Sequence, residues 1–460
     1  MFTPITISKL SASRIKVNRE QNLTPKEIVA HLDKYIIGQE QAKKSIALAL
    51  RNRYRRMSLE SNLKDEIMPK NILMIGQTGV GKTEIARRMA KMFSLPFVKI
   101  EVSKFTEVGF VGRDVESMVR DLAQASFEIV KKESEAGSTE DIENYIYDKI
   151  AKTLIPPIPS SATPEKQDDY GKSIHNMKQK IKDGTLDNNK ISLEIQKKPT
   201  EFANKNMPQD LSNMQEAISK MLFNNKKETI TREVTIKEAK ELLRVEASSS
   251  VIDEADIASE ALARAEHGGI IFVDEIDKIV ASSSNRSDPS KEGVQRDLLP
   301  IVEGSSVYTK YGQMQTDHIL FIAAGAFHIS KPSDLIAELQ GRFPIRVELE
   351  PLSEEILYQI LTMTQNSLLT QYEALLAVDK VKIKFEDEAI RAIAKLAQMA
   401  NEKADNIGAR RLHTVIEKVL EDVSFDFEKH QKKKCTITAK LVHEKLDNLV
   451  EDEDTTRYIL

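Results

Sequence analysis

At 460 residues the chain is too long for one hydrophobic core and is expected to fold as two to four domains. With 40% hydrophobic and 30% charged residues it fits a soluble globular protein, no apolar run approaches the roughly 18 residues that span a bilayer, and a net charge of −4 gives no general attraction to nucleic acid or anionic lipid. A single cysteine, Cys435, excludes an internal disulfide framework and a cysteine-rich zinc site, and fits a reducing compartment.

The first 22 residues carry Lys9, Arg14, Lys16 and Arg19 among serines, with no acid before Glu20. That composition suits a mitochondrial transit peptide, but a disordered N-terminal extension on a cytoplasmic protein is the plainer reading. Thr24-Pro25 reads as a helix start, with Ile28, Val29 and Leu32 as an apolar stripe. A bend at Tyr35-Ile36-Ile37-Gly38-Gln39 precedes a helix to about Met57 that carries Arg51, Arg53, Arg55 and Arg56. Acids elsewhere in the chain balance these arginines, so they read as a solvated or inter-subunit face.

The apolar run Asn71 to Ile75 predicts a buried strand, and Ile85, Met89 and Phe93 mark one face of a helix. Between them lies Gly76-Gln77-Thr78-Gly79-Val80-Gly81-Lys82-Thr83, a glycine, four residues, then Gly-Lys-Thr. Strand, glycine loop and helix together describe a phosphate loop. Its glycines let backbone N–H groups wrap phosphate oxygens, Lys82 reaches the β- and γ-phosphates, and the Thr83 hydroxyl sits on magnesium.

Phe97 to Val102 alternates like a strand and leads to Gly109-Phe110-Val111-Gly112, an aromatic and a β-branched residue between glycines. By itself that string fits a buried turn. A helix is expected over about Val115 to Val130. From roughly Lys131 to Arg244 the chain turns polar, with strand-like runs at Ile191 to Ile195 and Thr231 to Val234 and a helix near Leu211 to Phe223, which suggests an inserted module. After a helix over Asp253 to His267, the run Ile270 to Val273 ends in Asp274-Glu275. A buried parallel strand delivers these carboxylates to the sheet edge where ligands bind, Asp274 to hold magnesium through water and Glu275 to act as general base. A further strand, His318 to Ala324, precedes Leu339-Gln340-Gly341-Arg342-Phe343-Pro344-Ile345-Arg346 and another strand at Val347 to Leu349. Beyond Pro351 the chain reads as mostly helical, with strand-like Val381 to Phe385 and Cys435 to Thr438. Ile407-Gly408-Ala409-Arg410 opens a helix able to project a guanidinium, and the acidic tail ends in apolar Tyr458-Ile459-Leu460.

Phosphate loop, Asp-Glu strand, late Gly-Arg and Gly-Ala-Arg resemble the AAA+ class of ring ATPases. The strings Tyr35 to Gln39, Thr106 to Gly112, Gly325-Ala326-Phe327-His328, Leu339 to Arg346 and the final Ile459-Leu460 resemble, within it, the HslU (ClpY) family of protease-associated unfoldases. The resemblance covers about Leu23 to Leu460 and is weakest in the inserted module. It implies an α/β AAA+ fold with a parallel sheet and flanking helices: a large domain at 23–130 and 245–350, an inserted domain at 131–244, and a mostly helical small domain at 351–460. It further implies ATP and Mg2+ as cofactors, with Ile37 in the adenine pocket, Gly79 to Glu84 on phosphates and magnesium, and Glu338 and Arg410 at nucleotide contacts. Arg342 matches the finger offered to the neighbouring subunit. Gly109 to Gly112 match the pore loop of a homo-hexamer that unfolds protein substrates, and Tyr458 to Leu460 match the segment that docks into an HslV-like threonine peptidase dodecamer. No nucleic acid and no membrane are implied. The chain shows no peptidase signature of its own.

Three departures from the family pattern stand out. Phe110 occupies a place usually held by Tyr, Gln77 a place commonly Pro, and Ala323-Ala324-Gly325 lacks the Asn or Thr that many AAA+ proteins use to orient water. Two other readings are a nucleic-acid motor or loader, which needs a basic channel, and a non-hydrolysing nucleotide-gated scaffold, against which Glu275 argues.

Overall fold

The computed structural model describes residues 23–451 apart from 60–62, 64–65, 68, 106–112, 158, 160–162, 197–228, 252, 281–288 and 432–433. The string Gly109-Phe110-Val111-Gly112, the helix expected near 211–223 and the Tyr458-Ile459-Leu460 ending lie outside the described residues. In chain order the strands are β1 (Ile72–Ile75), β2 (Phe97–Glu101), β3 (Lys190–Gln196), β4 (Thr229–Thr235), β5 (Ile270–Asp274), β6 (Ser306–Thr309), β7 (Gly312–Gln315), β8 (Leu320–Gly325), β9 (Ile345–Glu348), β10 (Lys382–Phe385) and β11 (Lys434–Ile437).

The expected parallel sheet has five strands in the order β2-β5-β8-β1-β9. Its inner strands are apolar until their C-terminal ends, where β5 closes on Asp274, because both faces are covered. Leu73, Ile271, Val273, Phe321 and Ala323 pack with Met118, Val119 and Leu122 of the Ser117–Gly137 helix. Their sequence neighbours Ile72, Met74, Ile270, Phe272 and Ile322 pack on the other side, with Ile46, Ile85 and Met89. A period of two with apolar residues at both phases is the signature of a sheet sandwiched between helix layers.

The C-terminal lobe is helical, with the short parallel pair β10-β11, and closes around Leu357, Ile393, Leu412, Ile416 and Leu446. A second compact unit spans Val130–Ala258. There the two alternating runs pair as the antiparallel hairpin β3-β4, with Ile191 opposite Val234. The helices Thr139–Leu154, Pro164–Lys182 and Ile236–Val251, not expected from the sequence, complete its core through Ile146, Ile150, Ile181 and Leu243. Their apolar stripes are narrow: Ile142, Ile146 and Ile150 recur at four-residue steps in otherwise polar surroundings. The hairpin β6-β7 was likewise not anticipated.

The arginine cluster needs correcting. Arg53 and Arg56 are buried, not solvated. Arg53 donates to the backbone carbonyls of His267, Gly269 and His318, which precede β5 and β8, and so ties the N-terminal ends of two central strands. Burial, with the nearby Arg56, pushes its pKa down to about 9, still above neutrality, so the group stays charged while its donors are shared among the carbonyls. Arg53→Ala strands these acceptors, and with a cost of roughly 1–3 kcal/mol for each buried group left unmatched it should lower stability by about 2–4 kcal/mol. Arg53→Lys, with one compact ammonium, should recover only part of it. Thermal and urea melts of the two variants beside wild type check both statements.

Candidate nucleotide cleft

The site is built at the C-terminal ends of the parallel strands. β1 ends at Ile75, and the Gly76 N–H donates to the Gly325 carbonyl at the end of β8 (3.1 Å). The loop then turns through Gly79 (φ +78°) and Gly81 (φ +101°), left-handed conformations that favour glycine, into the Lys82–Met92 helix. Val80 is buried and anchors the loop. The Lys82 ammonium donates to the carbonyls of Gly76 and Gln77. Burial lowers its pKa, opposed by the carboxylates of Asp274 and Asp277.

Gly79 is glycine for a second reason. A Cβ there would lie 1.9 Å from the Ile407 carbonyl oxygen, and a Cβ on Gly408 (φ +59°) would lie 2.7 Å from the Gly79 carbonyl carbon. The two loops touch backbone to backbone, and the Ala409 N–H donates to the Gly79 carbonyl at 3.2 Å. This contact places Arg410, first residue of the Arg410–Phe425 helix, in the cleft.

The acids arrive on β5. Thr83 Oγ1 donates to Asp274 Oδ2 (3.3 Å), and Lys99 pairs with the same carboxylate at 2.9 Å. Glu275 is exposed, adopts φ +59°, and accepts from Ser103 Oγ at 3.3 Å. A non-glycine residue in this conformation marks local strain, a frequent property of functional positions. Glu84 is half buried between Arg87 and Arg88; burial opposes its ionisation, but hydrogen bonds from both guanidinium groups hold its carboxyl below the usual range.

The resulting cleft, of about 820 Å³, is lined by Ile37, Gly79, Val80, Gly81, Lys82, Thr83, Glu84, Asp274, Glu275 and Arg410 of the expected set. Glu338 and Arg342 are not brought to it. They lie on the exposed side of the short Ala337–Arg342 helix, where Arg342 pairs with Glu303 at 2.7 Å. Sequence reasoning missed Tyr35, whose ring faces the Arg88 guanidinium at 4.1 Å, and Lys99, Asp277, His328 and His413, all of which line the cleft. Tyr35 and His328 lie in strings that carry the family resemblance but have no role assigned there, and Asp277, three residues after Asp274, is not singled out by the sequence.

Residues 72–135 match the family described as "ATPase family associated with various cellular activities (AAA)", 189–346 the "AAA domain (Cdc48 subfamily)", and 352–431 the "C-terminal, D2-small domain, of ClpB protein". A protein of Helicobacter pylori (strain G27) named "ATP-dependent protease ATPase subunit HslU" is 58% identical over 441 residues, which are 95% of this chain and 99% of that relative. The chain belongs to the HslU family of AAA ATPases. Relatives of the same name from Campylobacter jejuni (strain 81-176) and Helicobacter acinonychis (strain Sheeba) are each 57% identical over 441 residues, 95% of this chain, covering 100% and 99% of their own lengths. HslU membership makes the chain a nucleotide-binding ATPase.

Because the Gly79–Gly408 contact leaves no room for a methyl group, Gly408→Ala should displace Arg410 from the cleft. Strain and steric conflict on the order of 1–3 kcal/mol should weaken ATP binding roughly tenfold or more, as measured by titration with a fluorescent nucleotide.

Proposed function

We propose that the chain is the ATP-driven unfoldase of a two-component protease, threading polypeptides through a homo-hexameric ring into a separate threonine peptidase of the HslV type. The observation that carries this is the convergence of Lys82, Thr83, Asp274, Glu275 and Arg410 on one cleft. Lys82 and the loop N–H groups bind the β- and γ-phosphates, Arg410 contacts nucleotide from the small lobe, Ile37 lines the adenine end, and Glu84 helps hold the phosphate end. Glu275, oriented by Ser103, takes the proton of the attacking water.

Thr83 and Asp274 fit Mg2+: both offer oxygen, they lie 3.3 Å apart, and among the described residues no group of three or more His, Cys, Asp or Glu forms an all-protein metal cage. An ion that keeps waters and takes phosphate oxygens suits so few protein ligands. When bound, it neutralises charge on the β- and γ-phosphates.

Neither Arg342 nor Glu338 reaches its own cleft, which suits residues that act on the neighbouring subunit's nucleotide. An arginine finger supplied across a subunit boundary contributes roughly 10³–10⁵ in rate, so turnover would require the ring. Arg342 would exchange Glu303 for phosphate there. We assign Gly109, Phe110, Val111 and Gly112 to the pore loop that grips substrate, and Tyr458, Ile459 and Leu460 to the tails that dock the peptidase dodecamer, six weak contacts acting together. We read 23–130 with 245–350 as the large domain, 131–244 as the inserted domain and 351–460 as the small domain. The bacterial relatives support a cytoplasmic location. Neither nucleic acid nor membrane enters this reading.

Glu275→Gln should retain ATP binding while kcat falls by about 10²–10⁴, since only the proton acceptor is lost. Equilibrium nucleotide binding and steady-state phosphate release separate the two effects, and unchanged kcat would refute the assignment. Deleting Tyr458 to Leu460 should abolish stimulation of an HslV-type peptidase with basal ATP hydrolysis preserved, measured on a chromogenic peptide. Stimulation that survives the deletion rejects the docking role.

A further inference from the structure

Strand β8 ends in Ala323-Ala324-Gly325, with no side chain able to respond to a phosphate. The polar group at this place comes from the neighbouring strand's end instead. Asp277 lies in the short 3₁₀ turn Ile276–Ile279 just past β5. Its Oδ1 accepts from the Ala326 N–H at 3.2 Å and stands 2.9 Å from where a Cβ on Gly325 would be, so it fills the space of the missing side chain. The Phe327 ring closes on the same glycine, its Cε2 2.6 Å from that Cβ position, and Phe327 holds φ +53°, a conformation imposed by its surroundings. The Gly325 carbonyl meanwhile accepts from Gly76 of the phosphate loop. The segment is thus fixed at successive residues by the phosphate loop and by Asp277. It then presents His328 to the cleft that also holds Lys82 and Glu275.

We infer that Asp277 is a positioning residue for ATP hydrolysis: its carboxylate oxygen holds the Gly325 to Ser330 segment so that His328 meets the terminal phosphate, replacing the polar residue that β8 lacks. This rests on the hydrolytic reading of the cleft and adds two residues to it. Asp277 acts through the backbone N–H of Ala326, for which its Oδ1 is the acceptor. An asparagine, which keeps the acceptor oxygen, should therefore serve in its place, and an alanine should not.

The test is steady-state ATP hydrolysis by the full-length protein, with ATP varied, for wild type, D277N, D277A, H328A and D277A/H328A, together with their melting temperatures. D277A should lower kcat about tenfold or more at an assay temperature well below its melting temperature, with KM for ATP within about twofold, because a positioning contact matters most where the reacting atoms must align. D277N should keep about half or more of the wild-type kcat, and the double variant should fall no further than the weaker single one, since both act along one path. Wild-type turnover in D277A, equal losses in D277N and D277A, multiplicative losses in the double variant, or a loss in D277A that disappears when the assay is run further below its melting temperature would each overturn the assignment. A wild-type protein that leaves ATP intact removes the hydrolytic reading and this inference together; an active wild type with an indifferent D277A removes this inference alone.

Discussion

The contact between Gly79 and Gly408 is the constraint on which the working part of the molecule depends. Two backbones meet where neither can carry a Cβ, and an N–H···O bond from Ala409 to Gly79 fixes them in register. The phosphate loop therefore has the small lobe as one of its walls. Any rearrangement of the loop around phosphates is felt directly by the segment that positions Arg410, with no side chain between them to absorb it. An ATPase that converts chemistry into movement needs such a stiff connection between its nucleotide and a second lobe.

The sheet supports this arrangement from opposite ends. At the cleft end, the ends of β1, β5 and β8 are linked by Gly76 to Gly325 and by Asp277 to Ala326. At the far end, Arg53 gathers the carbonyls that precede β5 and β8, while Asn71 donates to the Arg342 carbonyl and accepts from the Phe321 N–H. Buried polar groups at strand ends are costly unless matched, and here each also fixes one strand against the next. The Asn71 bridge joins the start of β1 to the end of the helix that carries Glu338 and Arg342. The residues read as facing a neighbour are thus tied to the same sheet as the cleft.

The electrostatics of the cleft follow from the same geometry. Lys99 and the Thr83 hydroxyl both approach Asp274, leaving Glu275 exposed beside Ser103. Two adjacent carboxylates on one chain are thereby separated into unlike environments, one paired with a cation and one open to solvent. The left-handed backbone at Glu275 is the local cost of turning the chain so that both acids serve the same cleft.

Much of this was legible in the amino-acid sequence, because local patterns encode local physics. Glycine spacing, an apolar run ending in two acids, and apolar residues at helical intervals specify the phosphate loop, β5 and the flanking helices without reference to distant parts of the chain. Residues 76 to 83, Asp274 and Glu275 follow from those patterns, Glu84 and Arg410 from the family resemblance, and residues of both sets line the cleft. Contacts between positions far apart in sequence were not legible. A run of arginines reads as solvated until the carbonyls of His267, Gly269 and His318 are brought beside Arg53, and nothing distinguishes Asp277 until Ala326 is placed opposite it. The helices of the Val130–Ala258 unit escaped for a related reason, since their narrow apolar stripes acquire a partner only when they close on the β3-β4 hairpin. Sequence alone determined which chemistry the chain carries and on which elements; the tertiary structure decided which lobe walls the phosphate loop and which buried charge holds the sheet, because burial and pairing are properties of neighbours in space.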